Sequence, residues 1–217
     1  YFFITDTICE SCVFESAFAN NTVFPLYLYE DENQKDLYTF ENKEKKPNIE
    51  LKIYNKLEGT FGQKLSPEDI LNYIYGVFYS NTYRETYAKF LEYDFPRVPF
   101  TADSALFQQM AALGKRLVDL HLLRSPELEQ PIARFEGKGE DRTITTPKYD
   151  PKTKRVWINA TYYFEGITPE VWQYQIGGYQ VLDKYLKARK GRNLEDPRHI
   201  LRVATALAKT IEIQKEI

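Results

Sequence analysis

At 217 residues, 43% hydrophobic and 28% charged, the chain is long enough to bury a substantial core and has the composition of a soluble globular protein. A net charge of −2 excludes a protein whose whole surface coats nucleic acid, and no apolar run approaches the roughly 18 residues of a membrane span, so no membrane partner is expected. Aromatic content is high at 15%, and two cysteines cannot build a disulfide framework, which points to a reduced, cytoplasmic setting.

In chain order, residues 1–47 form a first section. Tyr1 stands where an initiator Met is usual, so a longer parent polypeptide is expected, and the opening Tyr-Phe-Phe-Ile lacks the basic leader of a signal peptide. Phe24-Pro-Leu-Tyr-Leu-Tyr29 alternates like a short strand, and residues 30–47 read as an exposed charged loop ending at Pro47. Apolar and acidic together, Tyr1–Tyr29 has the character of a docking segment.

Residues 48–130 are the helical section. Ser66-Pro-Glu-Asp69 supplies a cap, a proline at the first helical position and an acid at the third, so a helix starts there and buries Ile70, Leu71, Ile74, Val77 and Phe78. A second helix is expected over Thr82–Tyr93, ended by the two prolines of Phe95-Pro-Arg-Val-Pro99. A third, over Ser104–Leu123, carries Leu106, Met110, Leu113, Leu117 and Leu120 at helical spacing.

The period then changes. Over residues 131–165, Pro131–Phe135, Arg142–Thr146 and Arg155–Phe164 read as strands, separated by Gly137, Gly139 and the turn Tyr149-Asp-Pro-Lys152. Residues 166–217 return to helices. Thr168-Pro-Glu170 caps one, Gly177-Gly178 breaks it and opens the next, and Asp196-Pro197 starts the last, with Ile200, Ala204, Leu207 and Ile211 inward. The expected fold is α+β, a single domain in which helices flank a small antiparallel sheet.

Little in this chain suggests catalysis. Cys9-Glu-Ser-Cys12 has the spacing of half a zinc site, but the only other soft ligands are His121 and His199, both in helices, so no metal is expected. Glu127 with Glu136-Gly-Lys138 is a loose match to the carboxylate and lysine set of a magnesium nuclease, and solvated charges flanking a strand explain it better. Gly177-Gly178 lacks the third glycine and the preceding strand of a dinucleotide fingerprint, and no nucleophile, base and orienting acid can be assembled.

Charge distribution is more telling. Residues 1–34 hold six acids and no Lys or Arg, whereas residues 183–202 hold seven cations and three acids, a local balance of +4. Lys184, Lys187, Arg189, Lys190 and Arg192 read either as the wet side of an amphipathic helix or as a surface for a polyanion. Three features favour the polyanion. The turn Gly177-Gly178-Tyr179-Gln180 would open a helix with free N–H groups able to accept phosphate. Further cations, Lys138, Arg142, Lys148, Lys152, Lys154 and Arg155, come from the strand section. The amides Gln173, Gln175 and Gln180 lie among them, and duplex recognition needs such amides beside cations.

Several segments together are more specific. Asp69-Ile-Leu-Asn-Tyr-Ile-Tyr-Gly-Val-Phe-Tyr-Ser80, Tyr83-Arg-Glu-Thr-Tyr87 and Asp94-Phe-Pro-Arg-Val-Pro-Phe100 resemble the C-terminal specificity domain of type ISP and related type IIG-like restriction-modification enzymes. Phe24–Tyr29, Gly114-Lys-Arg-Leu-Val-Asp-Leu-His121, Ile158-Asn159, and Tyr174–Arg192 with the helix after Leu194 are similar to the same family, with Tyr185 where many members have Trp. The resemblance covers nearly the whole chain in order. It implies a target recognition domain that grips double-stranded DNA and chooses the sequence. It also implies an upstream domain that methylates adenine with S-adenosylmethionine, often with a nuclease further upstream, and no cofactor in this part. It transfers no base-contacting residue one by one. For Arg84 and Arg97 a structural role is expected, as a helix-surface ion pair and as a bond holding the Phe95–Pro99 turn, and His121 is expected to be satisfied in the core. Two alternatives stay open: a protein-interaction module that docks on the methyltransferase or another subunit without touching DNA, and a nuclease built on Glu136 and Lys138.

Overall fold

The computed structural model describes residues 2–7, 22–29 and 45–217. Cys9, Cys12 and most of the charged 30–47 stretch therefore lie outside the described residues. The fold is α+β, and the chain divides into two compact units, residues 5–115 and residues 1–4 with 116–217. Among the described residues no helix is long and apolar enough to cross a membrane.

In the first unit, β1 (Tyr27–Tyr29) pairs antiparallel with β2 (Lys45–Pro47), so the charged loop ends in a strand. Next comes α1 (Leu51–Phe61), a helix with no start signal in the sequence: Glu50 makes no side-chain cap, and Gly62 ends it with φ +65°. The start of α2 (Pro67–Tyr79) is a full capping box, Ser66 Oγ accepting from the Asp69 amide and Asp69 from the Ser66 amide. The helix expected over Thr82–Tyr93 stops early. It is α3 (Asn81–Thr86), followed by turns and a single 3-10 turn at Phe90–Glu92. The Tyr83 hydroxyl donates to the Arg97 carbonyl at 2.9 Å and the Tyr73 hydroxyl to the Pro99 carbonyl at 2.7 Å. A helix continued to Tyr93 would carry the chain about 10 Å further along its axis, away from both hydroxyls.

Those two bonds, rather than the Arg97 side chain, anchor the proline segment. Arg97 is exposed and reaches Asp94 only at 3.8 Å. Nor does Arg84 make the expected surface ion pair: its Nε donates to the Phe78 carbonyl at 2.6 Å and its guanidinium lies 4.4 Å from the Tyr79 ring, closing the end of α2. The next helix is α4 (Ser104–His121), capped by Asp103, which accepts from the Ala105 amide at 2.8 Å. Phe107 rather than Leu106 points inward, stacked on Tyr73 at 4.6 Å, and Leu106 is exposed. Two glycines bring α2 and α4 into backbone contact. A Cβ on Gly114 would sit 1.8 Å from the Asn72 carbonyl oxygen, and one on Gly76 would sit 2.9 Å from that of Met110.

The second unit is built on a four-stranded antiparallel sheet of β3 (Arg134–Glu136), β4 (Lys148–Asp150), β5 (Arg155–Trp157) and β6 (Tyr163–Glu165), in the order β3-β6-β5-β4. Strand edges are where the sequence reading needs correction. Arg142–Thr146 is not a strand of the sheet. Tyr149 and Asp150, read as part of a turn, belong with Lys148 to the edge strand, and the turn falls at 151–154. Arg155–Phe164 is two strands, reversed where Asn159 Oδ1 accepts from the Thr161 and Tyr162 amides at 2.9 and 2.7 Å.

Register explains the core. Phe135, Phe164, Val156 and Tyr149 form one row across the sheet and turn inward, while the flanking rows, Arg134-Glu165-Arg155-Asp150 and Glu136-Tyr163-Trp157-Lys148, face outward. Thr168 caps α5 (Pro169–Gln173), which ends at Tyr174. Then come β7 (Gln175–Ile176), β8 (Tyr179–Gln180), α6 (Val181–Lys187) and α7 (Arg198–Glu216), whose Leu182, Leu186, Ile200, Ala204 and Leu207 close over the inner row. Ile211 is only half-buried, and Ile213 is fully buried. His121 Nε2 sits 2.9 Å from the Thr210 hydroxyl, a satisfied histidine as expected.

Candidate nucleic-acid interface

Two cation-bearing segments, far apart in sequence, meet in the second unit. Thr143 and Asn193 form an isolated antiparallel bridge. Around it the Ile144 amide donates to the Arg192 carbonyl (3.0 Å), the Gly191 amide to the Ile144 carbonyl (2.8 Å) and the Leu194 amide to the Arg142 carbonyl (3.1 Å). Ile144 and Leu194 are buried and fasten both segments to the core. Arg142 and Ile144 thus spend backbone groups on 191–194, and Arg142–Thr146 touches the end of the sheet through Thr145, whose amide donates to the Ile158 carbonyl at 2.9 Å. What stays outside is Arg142, Lys190 and Arg192, all exposed, around Gly191 at φ +81°.

Arg142 has a seat. Its guanidinium lies 5.9 Å from the Phe135 ring and 5.7 Å from the Tyr162 ring, and those rings stack on each other at 5.3 Å. Tyr162 donates to the Gly139 carbonyl, and Asn159 Nδ2 donates to the carbonyls of Asp141 and Thr143 at 3.1 Å. Hydrogen bonds from Thr143 hold the Asp141 carboxyl below its ordinary range. Lys138 is exposed on the same tied loop. No feature of the sequence marks Phe135 and Tyr162 as the support beneath Arg142.

Beside this patch lies a shallow cleft of about 280 Å³ lined by Arg189, Arg192 and His199 together with Glu195 and Asp196. His199 stacks on Tyr185 at 5.4 Å; burial, then Arg189, pushes its pKa down. Its acids offset its arginines, so the cleft is not a strong anion site.

The cationic block is not one helical face. Only Lys184 and Lys187 are in α6, and Lys187 pairs with Asp183 at 2.7 Å. Arg189 lies past the helix end, 3.5 Å over the Tyr185 ring, and donates to the Tyr185 carbonyl at 3.2 Å. Lys184 is exposed, 5.2 Å from the Tyr179 ring.

Gly177 and Gly178 do not break a helix and open another. With φ of +64° and +75° they form the two-residue turn of the β7–β8 hairpin, in register Gln175↔Gln180 and Ile176↔Tyr179. At the start of α6 the Val181 amide is not open to a phosphate, since it donates to the Tyr174 carbonyl at 3.1 Å. Gln180 is held too, its Nε2 donating to the Trp172 carbonyl at 2.6 Å, whereas Gln175 and Tyr179 are exposed.

The sheet cations scatter. Lys148 stands at the same end of the sheet as Asn159, while Lys152 and Lys154 lie in the opposite turn, where Lys154 has φ +54° and its carbonyl accepts from Gly166 and Ile167. Arg155 is clamped: Nε and Nη2 donate to Glu165 at 2.9 and 2.6 Å, over the Tyr163 ring at 4.4 Å. Glu127 faces Arg116 at 3.4 Å, Glu136 is exposed at the end of β3, and no group of three or more His, Cys, Asp or Glu converges on a metal-sized site among the described residues.

Residues 1–217 match the family described as the type ISP C-terminal specificity domain. Among solved structures, the chain is similar to the ATP-dependent type ISP restriction-modification enzyme LlaBIII bound to DNA, at 25% identity and a TM-score of 0.67 over 88% of this chain and 13% of that one. It shares a fold with the DrdV-DNA complex (23% identity, TM-score 0.67, 89% and 21% covered). It shares one too with a nuclease-deletion mutant of the type ISP enzyme LlaGI in complex with a DNA substrate mimic (23%, 0.56, 71% and 14%). The chain thus corresponds to a small part of the length of each. No curated protein matches it.

Proposed function

The chain belongs to the type ISP C-terminal specificity domain family, and from that membership we propose that it binds double-stranded DNA sequence-specifically, as the target recognition domain of a restriction-modification enzyme. The observation that carries the reading is the Thr143–Asn193 bridge, which pairs the backbone beside Arg142 with that beside Lys190 and Arg192 while all three side chains stay exposed. Guanidinium and ammonium groups on a fixed backbone neutralise phosphates and set the register of a protein on a duplex without reading its sequence. Lys138 and Lys184 extend the contact; Arg155, Lys187 and Arg189 are committed to Glu165, Asp183 and Tyr185 and serve the fold. The domain itself contributes recognition and no catalytic group. Adenine methylation with S-adenosylmethionine, and cleavage where it occurs, belong to other domains of the parent polypeptide, which works in the cytoplasm.

The test is a fluorescence-anisotropy titration of duplex DNA over a salt series. Replacing Arg142, Lys190 and Arg192 together by Ala weakens binding to all sequences, and the slope of log K against log salt becomes shallower by roughly 2 to 3, about 0.9 for each phosphate no longer neutralised. An unchanged slope overturns the assignment.

A second reading rests on a different observation. Phe24 and Phe95 are 71% and 62% exposed and meet edge to face at 5.8 Å, near the exposed Tyr93. Such an aromatic patch suits docking on the methyltransferase part or another subunit. Binding of that part by a protein that leaves duplex DNA unshifted in a mobility assay would favour docking alone.

A further inference from the structure

We propose that Glu140, on the loop 137–147 that crosses the end of the four-stranded sheet from β3 to β4, reads a base by accepting a hydrogen bond from cytosine N4 in the major groove. The assignment rests on the DNA-binding reading above and deepens it by naming a side chain that specifies sequence. An acid at this place in a cationic patch is the observation that needs a reason. Glu140 is exposed between Lys138 and Arg142, and it makes no hydrogen bond or ion pair among the described residues. Its neighbour Asp141 is already engaged, accepting from the Thr143 amide at 2.8 Å. A duplex drawn onto the loop by the flanking cations brings phosphates that repel a carboxylate, and an ionised carboxylate can only accept hydrogen bonds. Along the major groove cytosine offers N4 as a donor alone, adenine sets its N7 acceptor beside the N6 donor, and guanine and thymine offer acceptors. Cytosine is therefore the base whose edge a free carboxylate satisfies.

The loop is mounted so that such a side chain can be aimed. Asn159 Nδ2 donates to the carbonyls of Asp141 and Thr143, both at 3.1 Å, and Tyr162 donates to the Gly139 carbonyl. Gly137 lies close against Tyr162, since a Cβ there would come within 2.3 Å of the ring. Gly139, by contrast, has φ +112° and open space where a Cβ would be, so the backbone just before Glu140 can come close to a base pair. The bonds from Asn159 and Tyr162 all end on backbone carbonyls, so the mount holds whatever side chains the loop carries. Asn159 belongs to a segment that resembles the family, and residues 137–147 belong to none. A common frame beneath side chains of the chain's own is how a rigid scaffold carries a recognition loop.

The experiment is selection from a pool of randomised duplexes by the unaltered chain, by Glu140→Ala and by Glu140→Gln, followed by anisotropy titration of selected and scrambled duplexes. Neither change removes a bond of the fold. Glu140→Ala is expected to lose a cytosine from the consensus at one position and to lower the ratio of selected to scrambled affinity roughly tenfold, the size expected for one unread base edge. Affinity for the scrambled duplex itself should rise, because a negative charge facing phosphate is gone. Glu140→Gln, whose amide sets a donor beside an acceptor, should change the selected base at that position from cytosine toward adenine, which matches that pair. A merely solvated carboxylate gives the rise alone: a consensus unchanged in both variants overturns the assignment of Glu140 and leaves DNA binding standing. No consensus from the unaltered chain overturns both readings.

Discussion

Glu165 shows how far a charged residue's role depends on its partner. It accepts two hydrogen bonds from Arg155 and one from Arg134 Nη2 at 3.0 Å, on the outer face of the sheet. The bonds from Arg155 hold its carboxyl below the ordinary range, as bonds from Thr153 and Thr143 do for Asp150 and Asp141. A carboxylate depressed in the folded state stabilises the fold above its unfolded-state pKa, and that contribution is lost as pH falls through the folded value. The urea midpoint should therefore hold steady near neutral pH and decline below about pH 4, the ordinary carboxylate range. Glu165→Gln should lower the midpoint at pH 7 and flatten the acid decline; a decline identical to the parent's would show that the clamp contributes nothing to it. Arg155, a candidate for DNA contact from its charge and neighbourhood, is the residue this explains. Its partner is ten positions away on the next strand, and nothing in a one-dimensional reading distinguishes a clamped arginine from a free one.

Helix packing is decided by what is missing from side chains. Because α2 and α4 touch backbone to backbone, Gly114→Ala would force its Cβ to within 1.8 Å of the Asn72 carbonyl oxygen, and the helices must part. We expect a loss of about 3 kcal/mol in chemical denaturation, at the upper end for an overpacked site. The same substitution at Gly59, inside α1 with nothing within 4 Å, should instead stabilise by roughly 0.5–1 kcal/mol, as Ala replaces Gly in an open helix. Equal effects at the two sites would refute the close approach. Elements with local signals were legible: the Ser66 and Thr168 caps and Asp196-Pro197 mark α2, α5 and α7, and helical spacing marks α4. Where the determinant is remote, legibility ended. The four sheet strands have three residues each, too short for a period, and residues 142–144 are held by 191–194 instead. A paired glycine serves a helix break or a hairpin turn equally well; the Trp172 carbonyl that catches Gln180 decides for the hairpin. The candidate site was legible as two sets of cations, and the bridge that selects three of them was not.

For the whole molecule the question is whether net charge or its arrangement attracts a polyanion. At 0.1 M salt exposed charges are screened beyond about 10 Å, so an approaching duplex senses the patch it faces and not the sum over 217 residues. The sum is in fact unfavourable, −2, with 31 acids against 29 Lys and Arg. Two triple variants separate the possibilities. Arg142, Lys190 and Arg192 to Ala, and Lys52, Lys56 and Lys64 to Ala, each remove three exposed cations and leave the same net charge of −5 in place of −2. If total charge governed, both would bind an unrelated duplex equally less well. Local arrangement predicts otherwise: the Lys52 set retains nearly the parent's affinity at 0.1 M salt, whereas the Arg142 set loses roughly 10- to 100-fold, the scale of a few phosphate contacts at moderate salt. Parallel losses in a side-by-side anisotropy titration would remove the Thr143–Asn193 patch as the place where the domain grips DNA.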